Sequence, residues 1–227
     1  MNTHAKRPIV PVSLREQVYQ NLCDAIMRGE YAPGAILKIS AIAEESGTSL
    51  VPVREALQNL AAEGAIEMLH NRSARIPKTS LVDFEQITTI RLNLEGMGAE
   101  AAAPNLTDDD LIELNRLNDE MVSAVARSDG PTILLRNQEF HFLLYRLAGS
   151  PMLSRLIKIL WLRAGPILNA SFSGKADGLK LHSAALKEHD AILASANARD
   201  GQRLREAVVA DIAHAHDWYV RNFDFSQ

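Results

Sequence analysis

The chain has 227 residues, of which 47% are hydrophobic and 23% charged, and its formal net charge is −4. This is the composition of an ordinary globular protein, so disordered and collagen-like chains are excluded. The single cysteine, Cys23, cannot form a disulfide within the chain. The first residues lack the apolar core of a secretory signal peptide, and no uncharged run approaches the roughly 18 residues that span a membrane. We therefore expect a cytoplasmic protein without a membrane partner.

The charge is distributed unevenly along the chain. Residues 1–80 carry nine basic and eight acidic side chains, a net charge of +1, and the remainder has a net charge of −5. The acidity of the whole chain therefore does not argue against binding of nucleic acid by its first part. Short elements and turn signals fill residues 31–80, whereas long helical patterns follow. The sequence thus predicts two domains, residues 1–77 and 78–227.

Three helices are predicted in the first part of the chain. The first begins after Ser13, because Ser13 and Glu16 form a capping-box pattern. A short helix is predicted over residues 39–46 and a further helix over residues 50–63. Gly47 lies between them and favours a turn.

Two short strands are predicted after these helices, over residues 66–69 and 74–76, with residues 70–73 as the tip between them. The order of three helices and a hairpin is typical of a winged helix-turn-helix, whose helix after the turn enters the major groove of DNA. Any small three-helix unit has the same order, so this pattern alone leaves DNA binding open.

Six helices are predicted in the second part. Caps, prolines at first turns and closing glycines mark their ends, and Pro166 is expected to kink the fourth. The short connections predict an antiparallel bundle, so the fold class is mainly α. The predicted helices cover residues 81–103, 108–128, 131–149, 151–172, 176–198 and 200–223.

Polar side chains interrupt the apolar faces of three of these helices. Asn137 and His141 share one face of the third helix, His189 lies on a face of the fifth, and Asp211 interrupts the apolar stripe of the last. A buried carboxylate needs a partner, which a metal ion, an arginine or a histidine can supply. Taken singly, each histidine is more typical of a hydrogen-bonded core residue. Together, these nitrogen and oxygen ligands suit a divalent metal such as Zn or Ni.

The first part of the chain resembles the GntR family of bacterial transcription regulators. The resemblance rests on the runs GEYAPG (29–34), IAE (42–44), GTS (47–49), PVREAL (52–57) and LAAEG (60–64). Two positions depart from the family pattern, because Leu50 replaces an arginine expected to touch DNA and Ser73 replaces a glycine. The resemblance implies contact with a double-stranded DNA operator through Lys38, Ser40, Ser49, Leu50, Val51, Arg54, His70, Asn71 and Arg72.

The second part resembles the FCD effector-binding domain of the FadR-type branch of that family. Its marks are Arg91 with Leu94-Glu95 and Ala101-Ala102, Phe140-His141, Glu188-His189 and Asp200. The resemblance implies a homodimer on a palindromic operator and a small organic acid as effector. It also implies a metal site formed by Asn137, His141, His189 and Asp211, in which Asp211 stands where the family usually has histidine.

Two residues are expected at the effector cavity, Arg91 and Tyr145. Arg91 matches a family position that often faces the effector, although an ion pair with Glu95 or another acid is an alternative. Tyr145 lies one turn past His141 and either lines the same cavity or packs beside it.

The sequence leaves two functions to compare. The first is a ligand-responsive transcription regulator, and the alternative is a metal-dependent helical-bundle enzyme that acts on a small organic acid. The sequence offers no paired general base, no Glu-x-x-His repeats and no glycine-rich phosphate loop. We therefore expect a regulator rather than an enzyme.

Overall fold

The computed structural model describes residues 13–70, 73–172 and 178–225. Its first part, the winged-helix region (residues 13–75), contains three helices and three strands, which confirms the predicted winged helix-turn-helix. The elements are α1 (Leu14–Met27), β1 (Ile36–Lys38), α2 (Ile39–Glu45), α3 (Leu50–Ala62), β2 (Glu67–Leu69) and β3 (Ser73–Arg75).

Local signals in the sequence set the ends of these helices. The Ser13 hydroxyl accepts a hydrogen bond from the backbone N–H of Glu16 at 3.2 Å and so caps α1. Gly47, between α2 and α3, has a φ of +59°, a left-handed conformation that favours glycine. The inner face of α3 is fully buried at Val53, Leu57 and Leu60. This packing leaves the N-terminal end of α3 at the surface.

The wing is a three-stranded antiparallel sheet with the strand order β1-β3-β2. The hairpin of β2 and β3 confirms the two predicted strands within one residue. Strand β1 was not predicted from the sequence. Its central residue, Leu37, is buried opposite Ala74 of β3. Three residues are too few for a recognisable alternation, so pairing with β3 defines this strand.

The second part, the helical region (residues 81–222), has six long helices in its described residues 81–172 and 178–222, as predicted. Four begin at side-chain caps supplied by Ser80, Thr107, Asp129 and Asp200. Short 3-10 helices cover Ala103–Asn105 and Asn169–Phe172. The long helices are α4 (Leu81–Ala102), α5 (Asp108–Arg127), α6 (Gly130–Leu147), α7 (Pro151–Leu168), α8 (Gly178–Asn197) and α9 (Gly201–Asn222).

Helix α7 ends earlier than predicted. The sequence pattern extended this helix to residue 172, but the α-helix stops at Leu168 and a 3-10 helix follows. Pro166 lies in its last turn. Because proline has no backbone N–H to donate, it weakens the helix at this point.

The two regions pack directly on each other through α1 and α7. A Cβ atom added to Gly165 would lie 2.3 Å from the carbonyl oxygen of Ile26, so only glycine fits there. Nearby, Lys158 Nζ donates a hydrogen bond to Gln20 Oε1 at 2.8 Å. One cluster of buried apolar residues includes members of both regions. The division at residue 77 stays a prediction, and it falls in residues 76–80, which form neither helix nor strand.

The helices in the described part of the chain are all too short or too polar to cross a membrane.

Candidate functional site

The predicted DNA-contacting side chains that the structure describes are all at the surface. Arg54 on α3 forms no hydrogen bond or ion pair with any described residue, so its guanidinium is available to a partner. Leu50 and Val51, at the start of α3, are 41% and 65% exposed. Asn71 and Arg72 lie outside the described residues. The exposed residues are Lys38, Ser40, Ser49, Leu50, Val51, Arg54 and His70.

Three of the four predicted metal ligands meet in the interior of the helical region. His141 comes from α6, His189 from α8 and Asp211 from α9, and these side chains are 2%, 0% and 8% exposed. One possible ligand atom of each lies within 4.8 Å of the others. The residues that interrupt three apolar helical faces are therefore brought together by the fold.

His189 has an unusual environment for a buried imidazole. Neither of its ring nitrogens has a hydrogen-bond partner among the described residues. Its ring stacks on Phe140 with 4.3 Å between centroids. Burial lowers the pKa of His189 to about 3, so the ring is neutral at pH 7. Unpaired buried polar atoms are costly, and a neutral imidazole is the form that coordinates metals.

Asp211 supplies the negative charge of this group. Its Oδ2 lies 3.3 Å from Nε2 of His141. Burial alone would raise the pKa of Asp211, but the contact with His141 and the charge of Arg91 hold that pKa below its usual value. The side chain is therefore a carboxylate. Two imidazoles and a carboxylate form a ligand set that fits Zn or a similar divalent ion and leaves further coordination positions open.

A second polar group adjoins the first and is centred on Glu95 of α4, which is fully buried. Glu95 Oε1 accepts a hydrogen bond from Nε of Arg91 at 2.6 Å, so the alternative ion pair is present within α4. Glu95 Oε2 accepts from the Tyr145 hydroxyl at 2.5 Å and from Nε1 of Trp161 at 2.9 Å. Burial, and then the charge of Glu95, raises the pKa of Tyr145 well above its usual value.

A cavity of about 60 Å³ opens beside these groups. The polar residues that line it include Arg91, Asn137, His141, Trp161, His182 and Asp211. The cavity is small beside typical ligand pockets, which measure about 300–1,000 Å³. Tyr145 does not line this cavity and instead lies against the opposite ring nitrogen of His141, 3.3 Å from Nδ1.

His182 of α8 is a cavity residue that the site prediction missed. Its Nε2 lies 3.1 Å from the Ser171 hydroxyl, and its ring stacks on Phe172. Burial lowers the pKa of His182 to about 4. Its shared helical face with His189 was visible in the sequence, but the contact with Ser171 depends on the 3-10 helix after α7.

Comparisons with known proteins agree with this architecture. Residues 14–76 match the model of the bacterial regulatory proteins of the gntR family, and residues 86–214 match the FCD domain. The chain belongs to the GntR family. Its helical region is an FCD domain, and both resemblances seen in the sequence are confirmed.

Relatives of this GntR-family protein extend over nearly its whole length. The HTH-type transcriptional regulator McbR of Escherichia coli (strain K12) is 31% identical over 218 residues, which cover 92% of this chain and 96% of the relative. A solved structure of E. coli McbR/YncC, 28% identical, matches with a TM-score of 0.88 over 94% of this chain and 100% of that one.

A putative GntR transcriptional regulator from Rhodococcus sp. RHA1 shares the fold, with a TM-score of 0.73 at 21% identity over 92% of this chain and 99% of that one. The two family matches and the similarity to McbR identify the protein as a ligand-responsive DNA-binding transcription regulator.

Proposed function

We propose that this regulator binds a palindromic operator as a homodimer and responds to a small organic acid. The acid is recognised in the helical region beside a divalent metal of the Zn or Ni type. One observation carries the proposal: His141, His189 and Asp211 converge from three helices, and both nitrogens of the buried His189 lack a partner among the described residues.

The metal position is supported by the chemistry of its donors. His141, His189 and Asp211 supply two nitrogens and one oxygen, and Asn137 lies one turn before His141 at the same cavity. With aspartate in place of the histidine usual in the family, the protein ligands neutralise one charge of a divalent ion. A bound ion supplies a Lewis-acidic position for a carboxylate oxygen.

Arg91 is the cation that we assign to the effector. It lines the cavity, and Glu95 fixes its orientation through the 2.6 Å ion pair. The small volume of the cavity favours an acid with few heavy atoms, and entry of such an acid requires movement of the lining side chains. That movement is how occupancy of the cavity can alter the contact between α7 and α1.

The homodimer is supported by an exposed apolar strip on α4 and α7. Ile90 and Met97 of α4 are 48% and 47% exposed, and Met152 and Leu156 of α7 are 76% and 44% exposed. Helices α4 and α7 pack together where Gly98 of α4 meets Leu153 and Ile157 of α7, so these four side chains are carried by neighbouring helices. Burying such a strip against the same strip of a second copy gives a two-fold dimer, which reads a palindrome.

Helix α3, which we expect to enter the major groove, presents both a charged and an apolar side chain to DNA. Arg54 can make bidentate contacts to guanine, whereas Leu50 can offer only apolar contact, for instance with a thymine methyl group. We therefore expect an operator that differs from those read by relatives with arginine at the position of Leu50.

Binding to the DNA upstream of the protein's own gene tests whether the protein recognises a specific DNA sequence. We expect specific binding in the nanomolar range that weakens as salt increases, because phosphate contacts release counterions. Equal affinity for that fragment and for unrelated DNA at the same salt concentration would contradict the proposal.

Thermal unfolding with a panel of small organic acids, with and without a chelator, tests the sensing function. We expect an acid to stabilise the metal-loaded protein, and the chelator to remove that stabilisation. Identical melting curves under all conditions, together with no metal in elemental analysis, would show that the histidines are core residues. Turnover of an acid by the metal-loaded protein would instead favour the enzyme alternative.

A further inference from the structure

A chain of hydrogen bonds runs from the Glu95 carboxylate to the ring of His141. The Tyr145 hydroxyl lies 2.5 Å from Glu95 Oε2 and 3.3 Å from Nδ1 of His141. Glu95 and Tyr145 are fully buried, and His141 is 2% exposed. Tyr145 lies against the Nδ1 edge of the ring, and the Nε2 edge faces Asp211.

The direction of each bond in this chain follows from counting donors. The Nε group of Arg91 and the indole N–H of Trp161 can only donate, so both oxygens of Glu95 act as acceptors. The short contact from Tyr145 is therefore a hydroxyl donating to a carboxylate, which is a strong, charge-assisted bond. Its single hydrogen is used there, and the Tyr145 oxygen can only accept from the Nδ1–H of His141.

This direction fixes which nitrogen of His141 carries hydrogen. In the neutral ring, hydrogen on Nδ1 leaves a lone pair on Nε2, and this lone pair points at Asp211 Oδ2 from 3.3 Å. At that distance the two atoms attract each other only when a positive centre, a proton or a metal ion, lies between them. The hydrogen-bond chain therefore prepares Nε2 of His141 as a ligand atom.

We propose that Tyr145, held by Glu95, is a positioning residue that fixes the tautomer of His141 and directs its Nε2 at the metal. This role rests on the metal site in the proposed function. It differs from the effector contact expected for Tyr145, because Tyr145 lies outside the cavity lining. Since Glu95 also orients Arg91, one carboxylate positions both a metal ligand and the cation assigned to the effector.

The affinity for zinc, measured by competition with a chelating dye, tests this role. Tyr145→Phe removes only the hydroxyl, and we expect zinc affinity to fall about 10–100-fold, as is usual when an outer hydrogen-bond partner of a metal-bound histidine is lost. Tyr19→Phe is the matched control, because the Tyr19 hydroxyl donates to Glu63 at 2.7 Å in the winged-helix region. That control should bind zinc as the wild type does.

Two results of this titration separate the two proposals. Equal zinc affinity in the wild type and in Tyr145→Phe overturns the positioning role and leaves the metal site standing. Absence of zinc binding by the wild type overturns the metal site, and the positioning role with it.

The tautomer itself can be read in the unmutated, zinc-free protein, even where the variant does not fold. Long-range ¹⁵N–¹H spectra of labelled histidine should show hydrogen on Nδ1 of His141, and Tyr145→Phe should lose this preference. A neutral His141 with its hydrogen on Nε2 and a bare Nδ1 overturns the proposal.

Discussion

The exposed side chains of α3 that we expect to contact DNA and the buried polar side chains around Glu95 are of the same kinds but have opposite surroundings. Arg54 is exposed and makes no ion pair with any described residue, whereas Arg91 is nearly buried and bound to Glu95. On the surface, we expect loss of one side chain to remove a contact with DNA and little else. Around Glu95, loss of one side chain leaves several others without a partner. We therefore expect substitutions of the exposed side chains to change DNA binding without changing stability. Substitutions around Glu95 should change ligand binding and stability together.

Arg54→Ala should show the largest effect on function. A dimer that reads two half-sites loses two bidentate contacts, so we expect operator affinity to fall by about 2–6 kcal/mol. Thermal stability should stay within about 0.5 kcal/mol of the wild type, because the side chain is exposed. Operator titration and melting curves check both statements. Arg127→Ala, an exposed arginine at the end of α5, is the control and should change neither.

Glu95→Leu should show the largest effect on stability. It leaves Arg91, Tyr145 and Trp161 without their acceptor, and breaking a buried pair in this way costs about 3–5 kcal/mol. Denaturant unfolding measures this loss. Glu113→Ala is the matched control, because Glu113 pairs with Arg116 at the surface, where such a pair contributes about 0–1 kcal/mol. Similar losses in both variants would remove the distinction between buried and exposed charge pairs.

His182 should make stability depend on pH. Its pKa is lowered by burial to about 4 from 6.5, so between these values the unfolded chain binds a proton that the folded protein does not. Stability is therefore complete above about pH 6.5 and falls as the pH is lowered towards 4, by at most about 3 kcal/mol.

The pH dependence can be assigned to His182 by comparing two variants, with a chelator present. His182→Phe should flatten the fall in unfolding free energy between pH 6.5 and 4. Ser171→Ala keeps the imidazole and removes its hydrogen bond, so it should lower stability at every pH and keep the slope. Since His189 titrates in the same direction, only the difference between wild type and variant is informative. An unchanged slope in His182→Phe would contradict the assignment.

Gly165→Ala tests the contact that joins the two regions. The added Cβ meets backbone atoms of Ile26 and Met27, so we expect a loss of about 1–3 kcal/mol and weaker operator binding. Gly96→Ala is the control, because the atoms nearest to its added Cβ belong to the side chains of Val209 and Arg205, which can move. Operator binding by Gly96→Ala should match the wild type. Wild-type stability and affinity in Gly165→Ala would mean that α1 and α7 are not tightly coupled.

The winged helix was predictable because its signals are local. Ser13 caps α1, and Gly47 marks the turn between α2 and α3, so the helices could be placed from short windows of sequence. Strand β1 was not predicted because its three residues are defined by pairing with β3, which lies far along the chain.

The metal ligands were predictable for a different reason. His141, His189 and Asp211 interrupt apolar helical faces, and the resemblance to a known family pointed to the same positions. The arrangement around Glu95 could not be predicted in full. Its pairing with Arg91 is local, four residues apart on α4, but Tyr145 and Trp161 reach it from α6 and α7 only in the folded structure. The placement of Tyr145 outside the cavity depends on this tertiary contact.

The central claim is that His141, His189 and Asp211 hold one divalent ion inside the helical region. Anomalous diffraction at the zinc absorption edge, from crystals of the full chain grown with zinc, tests it most directly. The account predicts one strong peak about 2.0–2.2 Å from a ring nitrogen of each histidine and from an oxygen of Asp211. Zinc peaks confined to surface histidines, with none between these three side chains, would contradict it.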